Sequence, residues 1–537
     1  MLCSFLISLG ISAGCVLAAR ILIHYFQLES YQFPGYFRTI RRNLVKAILP
    51  GCFLSAILFI LISAFILTNS LLPASLAVFV VIPAAGFAAG KLFSEKKAKK
   101  ALAFTARIRR LYAVCFIILF LVLILICYAG GFPHRSINAA DWPVLSALIL
   151  FPLLLPLWIA LCGLLAWPLE KAISEMYFRD AQRILKSRND LIKIGITGSW
   201  GKTSVKFILG TLLEDKYHTL VTPASYNTPM GVTKVIRTML EPGHRVFISE
   251  MGARHVGDIR EMCRLVHPEI GILTSVGPQH LDTFRTIDRI KKTKYELIEA
   301  LPSDGAAFFA DDGDICRKLY EKTGIRKMIS GLDAQKDDVW AEEISVSEAG
   351  STFFLCTKNE RQLCRTSLLG ELNIRNILLC ACVCLYMDMT VEQIARGIEK
   401  LTPVEHRLQL IPNPGGLTVI DDAFNSNILG AQQAFKVLKE MKGTRYLVTP
   451  GMVELGAEEE AMNRTFGRYA SECCDKAILV GRKRSEAIAN GLIDGGFSEG
   501  NILIASSLDE ATGMLKQLVK PGDTVLFEND LPDNYSE

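Results

Sequence analysis

The residues with the clearest chemical potential lie between positions 197 and 203, where the chain reads Thr-Gly-x-x-Gly-Lys-Thr. An apolar run typical of a buried strand, Leu191 to Ile196, precedes them, and a helical pattern, Val205 to Leu213, follows. Backbone N–H groups at a helix start attract phosphate, Lys202 adds a positive charge, and Thr203 offers a hydroxyl to magnesium. The standard phosphate loop has a glycine six residues before the lysine, whereas this chain has isoleucine there. The flanking pattern nevertheless favours a phosphate site over an ordinary strand–helix turn.

Three further residues of chemical interest follow in chain order. Glu250 ends the predicted strand Arg245–Glu250, and His280 comes shortly after the predicted strand Ile270–Val276. The carboxyl ends of parallel strands are where α/β folds place their sites, and a carboxylate there can hold magnesium. Lys294 lies on a charged predicted helix. Taken alone, Glu250 is equally well explained as a surface acid, whereas His280 is more often a structural histidine and Lys294 more often a solvated lysine.

The surrounding elements predict two α/β domains. From Leu191 onward, short apolar strands alternate with helical patterns, which indicates a parallel sheet. A second series starts near Leu417, after a hinge that runs from Pro403 to Gly416. Its predicted strands are Leu417–Ile420, Tyr446–Thr449, Ala477–Val480, Ile502–Ile504 and Thr524–Phe527.

The first third of the chain has a different character, because it carries five apolar stretches close to the ~20 residues that cross a bilayer. We therefore predict an α-helical membrane domain over residues 1–168, followed by an amphipathic linker over 169–190. The predicted spans are Leu2–Phe26, Ala47–Leu67, Leu71–Phe93, Leu111–Gly131 and Val144–Trp167.

The connecting loops predict an orientation. Lysines and arginines are concentrated between the first two stretches and between the third and fourth, and positively charged loops stay cytoplasmic. This places the N-terminus outside and everything after Trp167 in the cytoplasm, where ATP is available. The prolines of the fifth stretch leave a re-entrant segment as the alternative, but that would put the phosphate loop outside, so we favour five spans.

Composition narrows the function classes. The chain has 537 residues and a net charge of +5, and its basic loops suit anionic membrane lipids, so no nucleic-acid partner is implied. Its 15 cysteines divide between the apolar stretches and a part predicted to be cytoplasmic, where thiols stay reduced. They lack metal-site spacing, and we interpret them as small buried hydrophobes.

Read in order, the motifs resemble the Mur ligase family. They are Thr-Gly-x-x-Gly-Lys-Thr, Glu-Met-Gly-Ala, Gly-Pro-x-His-Leu-Asp, Thr-Lys-Tyr-Glu, Leu-Gly-x-x-Asn-x-x-Asn and Asp-Asp-Ala-Phe-Asn-Ser-Asn, and they extend over about Leu191 to Leu455. The family member most similar in these motifs adds D-alanyl-D-alanine to a peptidoglycan precursor. The resemblance implies a central ATP-binding domain with a P-loop-type parallel sheet (191–402) and a smaller, Rossmann-like C-terminal domain (403–537). It also implies that ATP activates a carboxylate as an acyl phosphate, which an amine then attacks.

The resemblance also implies a role for each matching residue. Glu250 and His280 match magnesium ligands, as does Thr203, and His280 also belongs to the catalytic set with Lys202 and Lys294. Lys294 matches a lysine that carries a carbamate made from carbon dioxide. The residues implied to bind ATP are Gly198, Ser199, Gly201, Lys202, Thr203, Ser204, Asn373, Asn376, Arg407, Asp422, Asn425 and Asn427.

The chain departs from the family pattern in ways that leave the substrates open. The domain that usually holds the uridine nucleotide is missing, and membrane spans stand in its place. We therefore expect a muramyl-peptide acceptor, either soluble or lipid-linked, and an amino acid or dipeptide as the amine. A membrane-associated poly-glutamate synthetase-like ligase and a nucleotide-regulated membrane transporter or receptor are the alternatives. The substituted positions are Leu372, Phe424, Ile428 and the segment from Glu528 to Pro532.

Overall fold

The structure is a computed structural model, and it divides the chain into two compact units, one up to Glu175 and one from Met176 onward. Each is described here by itself. The described residues are 2–68, 71–94, 101–130, 141–223, 226–279, 281–347, 349–411, 413, 415–423, 428–453, 455 and 458–529.

The first unit is helical. Four helical segments are long and apolar enough to cross a membrane among the described residues, or five if a bent pair counts as one span. Its helices are α1 (Leu2–Ala18), α2 (Arg20–Leu28), α3 (Phe33–Arg42), α4 (Leu44–Thr68), α5 (Leu71–Leu92), α6 (Ala106–Ala129), α7 (Trp142–Leu150) and α8 (Leu155–Lys186).

The first predicted span differs from the single helix expected. It is the bent pair, in which α1 and α2 meet at an angle of 47° on either side of Ala19. Helix α1 packs closely along α5, where a Cβ on Gly86 would collide with the backbone of Gly14. Small residues allow such close helix contacts in apolar surroundings. Hydropathy alone carries no information on this bend.

The predicted linker is not a separate element. Helix α8 begins at Leu155 and continues to Lys186, so most of segment 169–190 extends a helix that starts in an apolar stretch. The last turns of α8 belong to the second unit, where Phe178, Ala181 and Leu185 are buried.

The second unit begins with a nine-stranded sheet. Its strands are β1 (Ile192–Thr197), β2 (Thr219–Val221), β3 (Val246–Glu250), β4 (Ile270–Leu273), β5 (Ala306–Ala310), β6 (Arg326–Gly331), β7 (Val339–Ser347), β8 (Gly350–Thr357) and β9 (Arg361–Thr366). The accompanying helices are α9 (Lys202–Leu213), α10 (Pro229–Met239), α11 (Asp258–Val266), α12 (Leu281–Phe284), α13 (Ile287–Glu299), α14 (Ile315–Lys322), α15 (Glu371–Tyr386) and α16 (Val391–Glu399).

The strand order β2-β3-β1-β4-β5-β6-β7-β8-β9 is parallel up to β7. Both faces are covered, which explains the continuous apolar runs: in β3, Val246 and Ile248 pack in one core and Phe247 in the other. The chain passes from β1 to β2 and then β3 on one side of β1, and it crosses from β3 to β4 on the other side. The carboxyl end of β1 is therefore the switch point at which such sheets bind ligands.

Two features of this sheet went beyond the predicted pattern. Strands β7, β8 and β9 pair antiparallel and extend the parallel core. Helix α15 is buried on all sides, so its three alternating cysteines are all buried, although they do not share a face. Cys380 even reaches the backbone of α9, with its thiol 3.4 Å from the carbonyl oxygen of Val205.

A six-stranded sheet follows, in the order β10-β11-β15-β12-β13-β14, and only β10 is antiparallel. Its strands are β10 (Gln409–Ile411), β11 (Thr418–Asp422), β12 (Arg445–Thr449), β13 (Lys476–Val480), β14 (Ile502–Ala505) and β15 (Thr524–Glu528). Its helices are α17 (Ile428–Lys439), α18 (Glu459–Ser471), α19 (Arg482–Asp494) and α20 (Leu508–Leu518). The predicted succession of an apolar helical region and two parallel-rich α/β sheets is confirmed.

Candidate active site

The phosphate-loop motif lies at the carboxyl end of β1 and opens helix α9 at Lys202. Two of its glycines have backbone angles that favour glycine, with φ of 155° at Gly198 and 81° at Gly201. A Cβ on Gly198 would collide with Thr274, and a Cβ on Gly201 would lie 3.0 Å from the side-chain oxygen of Asn376. The loop is thus packed too closely for side chains, as a cradle for a ligand's phosphates requires.

The segment after β4 holds this loop in place. The hydroxyls of Thr274 and Ser275 both donate to the carbonyl oxygen of Trp200. The hydroxyl of Ser199 donates to the carbonyl oxygen of Gly277 (2.9 Å), and its own N–H donates to Ser275 (3.0 Å). The polar groups of Ser199, which was predicted to bind ATP, are therefore engaged in holding the loop. In the sequence, the motif after β4 suggests a function only for its histidine. The hydrogen bonds by which it holds the phosphate loop were not predicted.

Lys202 points back over the loop. Its ammonium donates to the carbonyl oxygens of Gly198 (2.7 Å) and Ser199 (3.0 Å). Burial lowers the pKa of Lys202 to about 8; Glu250 opposes this shift and Arg407 adds to it. A desolvated cation held at the phosphate loop is well placed to interact strongly with a ligand's phosphates.

Glu250 is buried, with 1% of its surface exposed, and it contacts three polar side chains. Its Oε2 accepts from the hydroxyl of Thr203 (3.1 Å) and lies 3.0 Å from the ammonium of Lys206, and its Oε1 accepts from the amide of Asn227 (3.0 Å). Burial opposes ionisation, but Lys206 and Lys202 hold the pKa of Glu250 below its ordinary value. The carboxylate therefore stays charged.

Lys206 and Asn227 are site residues that sequence reasoning missed. Lys206 lies one helical turn after Lys202, so the two share a face of α9. That spacing was the available signal, but a lysine in an apolar helix is ordinarily taken as surface charge. Here its side chain is fully buried against Glu250.

A cavity of about 410 Å³ opens beside the first turns of α9. Thr203 and Ser204 line it on one side, and the segment from Leu401 to Arg407, which overlaps the start of the predicted hinge, lines the other. Asn373, predicted to face the adenine, lines it as well, whereas Asn376 lies behind Gly201. Apolar side chains form much of the wall, as a site for a flat heteroaromatic ring would need. Those apolar residues are Phe207, Ile208, Leu368, Leu401, Pro403 and Val404.

The hinge is anchored to the second sheet at Asp422. The side-chain Oδ1 of Asp422 accepts from the N–H of Leu408 (3.0 Å), and the hinge turns through positive φ at His406 and Leu408. Burial raises the pKa of Asp422 to about 6, although the Leu408 N–H and Arg407 oppose this shift. Arg407 thus stands where the first α/β domain, the hinge and the second sheet meet.

Lys294 lies on α13 and is 2% exposed. Among the residues that the structure describes, no hydrogen bond or ion pair to its ammonium is found. Burial and the nearby charge of Lys202 lower the pKa of Lys294 well below its ordinary value, against the opposing pull of Asp258 and Glu250. The solvated-lysine explanation is therefore wrong for this residue.

Several predicted residues lie outside the described residues, and their geometry forms no part of the site described here. They are His280, Asn425 and Asn427, together with Phe424 and residues 530–532 among the substituted positions. Within the described part of the chain, no cluster of three or more histidine, cysteine, aspartate or glutamate side chains could hold a metal by itself. Thr203 and Glu250 do offer adjacent hard oxygen donors, which is the chemistry that magnesium prefers.

This fold, with a phosphate loop, a buried carboxylate and a hinged second α/β domain, is that of a nucleotide-dependent ligase, and comparison with known proteins agrees. The Mur ligase middle domain matches residues 196–384, and the Mur ligase glutamate ligase domain matches residues 406–528. The chain belongs to the Mur ligase family and is an ATP-dependent ligase.

The relatives most informative for function carry one name. The UDP-N-acetylmuramoyl-tripeptide--D-alanyl-D-alanine ligase of Mycobacterium tuberculosis is 31% identical over 357 residues, which cover 62% of this chain and 69% of the relative. The Escherichia coli enzyme of that name is 32% identical over 298 residues, covering 55% and 66%. Among solved structures, MurF from Acinetobacter baumannii has a TM-score of 0.62 at 24% identity, covering 67% of this chain and 78% of that one. MurF ligase from Thermotoga maritima, solved in complex with ADP, has a TM-score of 0.60 at 24% identity, covering 66% and 80%.

The buried pair of Lys206 and Glu250 makes a first prediction. Replacing Lys206 with methionine removes the ion-pair partner of a buried carboxylate, and breaking a buried pair in this way costs about 3–5 kcal/mol of folding free energy. We expect the K206M variant to melt well below the wild type, and the double variant K206M/E250Q, which removes both charges, to recover much of the loss. Thermal unfolding of the purified full chain measures this, with the exposed K234M as the control. Equal melting of K206M and wild type would contradict the ion pair.

Proposed function

We propose that this chain joins the amine of D-alanyl-D-alanine to a carboxylate of a muramoyl-peptide precursor of peptidoglycan, through an acyl phosphate made with ATP. The observation that carries the proposal is the cavity between helix α9 and the hinge. Thr203 at the end of the phosphate-loop motif, an apolar wall and Arg407 all face this cavity. The named relatives in Mycobacterium tuberculosis and Escherichia coli support this choice of substrates.

The residues of the loop meet the main electrostatic problem of the reaction. A carboxylate that attacks the γ-phosphate of ATP brings two anions together, so cations must offset the repulsion. Arg407 lines the cavity, and Lys202 precedes the lining residue Thr203, so both can supply positive charge. Because both are partly buried, their effect on the developing charge is larger than it would be in water.

Thr203 and Glu250 would hold magnesium, together with His280 as the resemblance implies. A bound magnesium ion supplies charge neutralisation and orientation of the phosphates. Glu250 remains ionised in the interior because Lys206 and Lys202 stabilise its charge. The chain therefore keeps a charged oxygen donor beside the Thr203 hydroxyl.

A hinge between the two α/β domains would allow them to close and protect a reactive intermediate from water. An acyl phosphate hydrolyses if water reaches it, and two domains that close on each other exclude water until the amine binds. The loop from Leu401 to Arg407 connects the two α/β domains and lines the nucleotide cavity. Domain closure and nucleotide binding are thereby linked through the same seven residues. The predicted ATP contacts from Asp422, Asn425 and Asn427 would come from the closing domain.

Lys294 is proposed to carry a carbamate. A neutral amine is required, because the nitrogen lone pair attacks carbon dioxide, a C–N bond forms and a proton leaves. Burial lowers the pKa of Lys294 and so favours the neutral form. The product is an anion, and the positive charge of the nearby Lys202 stabilises it.

Replacing Lys294 with alanine should abolish amide formation, because the anion is lost. A short carboxylic acid added to the solution should partly restore the rate by taking the place of the carbamate. Steady-state rates of ADP release measure both effects, and K292A, on the exposed side of the same helix, is the matched control. Full activity of K294A without any addition would contradict the carbamate.

The membrane helices raise the question of where the acceptor is held. We propose that the chain is a multi-pass membrane protein with its ligase unit in the cytoplasm, on the basis of its apolar helices and basic loops. Only about two dozen residues, Pro168 to Asp190, separate the last apolar stretch from β1. At 1.5 Å per residue this helical connection reaches at most ~35 Å. Such a tether would favour a lipid-linked acceptor, which the bilayer would concentrate near the cleft.

The proposed activity is tested on the purified full chain in lipid nanodiscs. ATP, magnesium and D-alanyl-D-alanine are supplied with either UDP-N-acetylmuramoyl-tripeptide or its lipid-linked counterpart, and mass spectrometry follows the product. We expect one amide per ADP, a faster rate on the lipid-linked acceptor, and no turnover by K202A. Product formation with glutamate but not with the dipeptide would instead favour a poly-glutamate synthetase, and ADP release without any amide would contradict ligase activity.

A further inference from the structure

The proposed function assigns no role to one buried arginine of the second α/β domain. Arg484 is the third residue of α19 and is 9% exposed. Its Nε donates to the carbonyl oxygen of Pro450 (3.2 Å), and its Nη2 is buried with no hydrogen-bond partner among the residues that the structure describes. A guanidinium stays charged and carries five donors, so burying one unsatisfied donor is costly unless a ligand completes it.

The position of Arg484 adds to its attraction for an anion. It lies in the first turn of a 13-residue helix, where unpaired N–H groups and the helix dipole both favour negative charge. Gly481, the residue before this helix, has a φ of 86°. The helix start and the side chain therefore provide two independent sources of positive potential at the carboxyl end of β13.

The loop that Arg484 contacts is held by side-chain hydrogen bonds from two other parts of the domain. Asn463 accepts from the N–H of Met452 (2.9 Å) and donates to its carbonyl oxygen (3.0 Å). The amide of Asn529 donates to the carbonyl oxygen of Gly451 (2.5 Å). Hydrogen bonds from α18 and from the residue after β15 thus hold loop 450–452 in place. Arg484 donates to the first residue of this loop.

The opposite charge lies along the same edge of the sheet. Glu528 ends β15 and is the register partner of Asp422 at the end of β11, and β15 also pairs with β12. Loop 450–452, which follows β12, therefore separates an acidic pair from Arg484. A site with an acidic end and a cationic end suits a zwitterion, which has an ammonium and a carboxylate.

We propose that Arg484 binds the carboxylate of the incoming amine substrate and positions its amine toward the cleft. The inference rests on the proposed ligase activity and names the recognition element for the amine. A bidentate arginine–carboxylate contact would satisfy the open Nη2 donor. Arg484 is a positioning residue in this account, because it touches the substrate far from the reacting amine.

The first test uses the wild-type full chain and needs no variant. Rates with D-alanyl-D-alanine are compared with rates with its C-terminal amide, which lacks the carboxylate. We expect the acid to be preferred at least tenfold in kcat/KM, mainly through KM. Equal use of the acid and the amide would overturn the proposal. If the chain turns out to use a different amine, that amine and its C-terminal amide replace the dipeptide, so an error in the identity of the amine does not mimic a failure of the Arg484 role.

The second test changes the residue. R484Q should raise KM for the amine substrate at least tenfold, abolish the preference for the acid over the amide, and leave KM for ATP unchanged; R484K should lie in between. R464Q, a surface arginine of α18 paired with Asp494, should match the wild type. An R484Q variant that keeps the wild-type KM and preference, or that raises KM for ATP instead, would overturn the proposal. If R484Q fails to fold, the intermediate preference of R484K and the wild-type comparison still decide.

Discussion

The structure of the site depends on the charge of one buried carboxylate. Glu250 ends β3 in the interior, where an unpaired charge would be expensive, and Lys206, Thr203 and Asn227 surround it. Two of these partners belong to α9, so the requirement to pair Glu250 also fixes the helix that begins at Lys202. The phosphate loop is then held from its other side by the hydroxyls that follow β4. The phosphate-loop motif and the proposed magnesium donor Glu250 are thus held by one connected set of contacts.

Both sheets present polar groups at the carboxyl ends of their parallel strands. The first presents the phosphate loop at the carboxyl end of β1, and the second presents Asp422 and Glu528 at the ends of adjacent parallel strands. The hinge donates the N–H of Leu408 to Asp422, and residues at its start line the cavity beside α9. If ATP binds in this cavity as proposed, its binding and the placement of the second domain are physically connected.

Much of this arrangement could be predicted from the sequence, because strands covered on both faces appear as continuous apolar runs. The strand predicted at Leu191–Ile196 is observed at Ile192–Thr197, and the predicted bounds of the strands in the second sheet agree equally well. The features that were not predicted depend on contacts between residues that are distant in sequence. Lys206 looks like surface charge until Glu250 is placed beside it, and the antiparallel strands β7 to β9 lie outside the alternation of strand and helix. The bend at Ala19 is set by helix packing, which hydropathy does not report.

The central claim is that ATP phosphorylates a carboxylate of the acceptor. An acceptor with oxygen-18 in its carboxylates tests it directly, because the attacking oxygen leaves with the phosphate when the amine displaces it. The account predicts that each turnover in the presence of the amine releases inorganic phosphate containing one oxygen-18 atom, as mass spectrometry would show. Unlabelled phosphate, released at the same rate as the amide product, would contradict it.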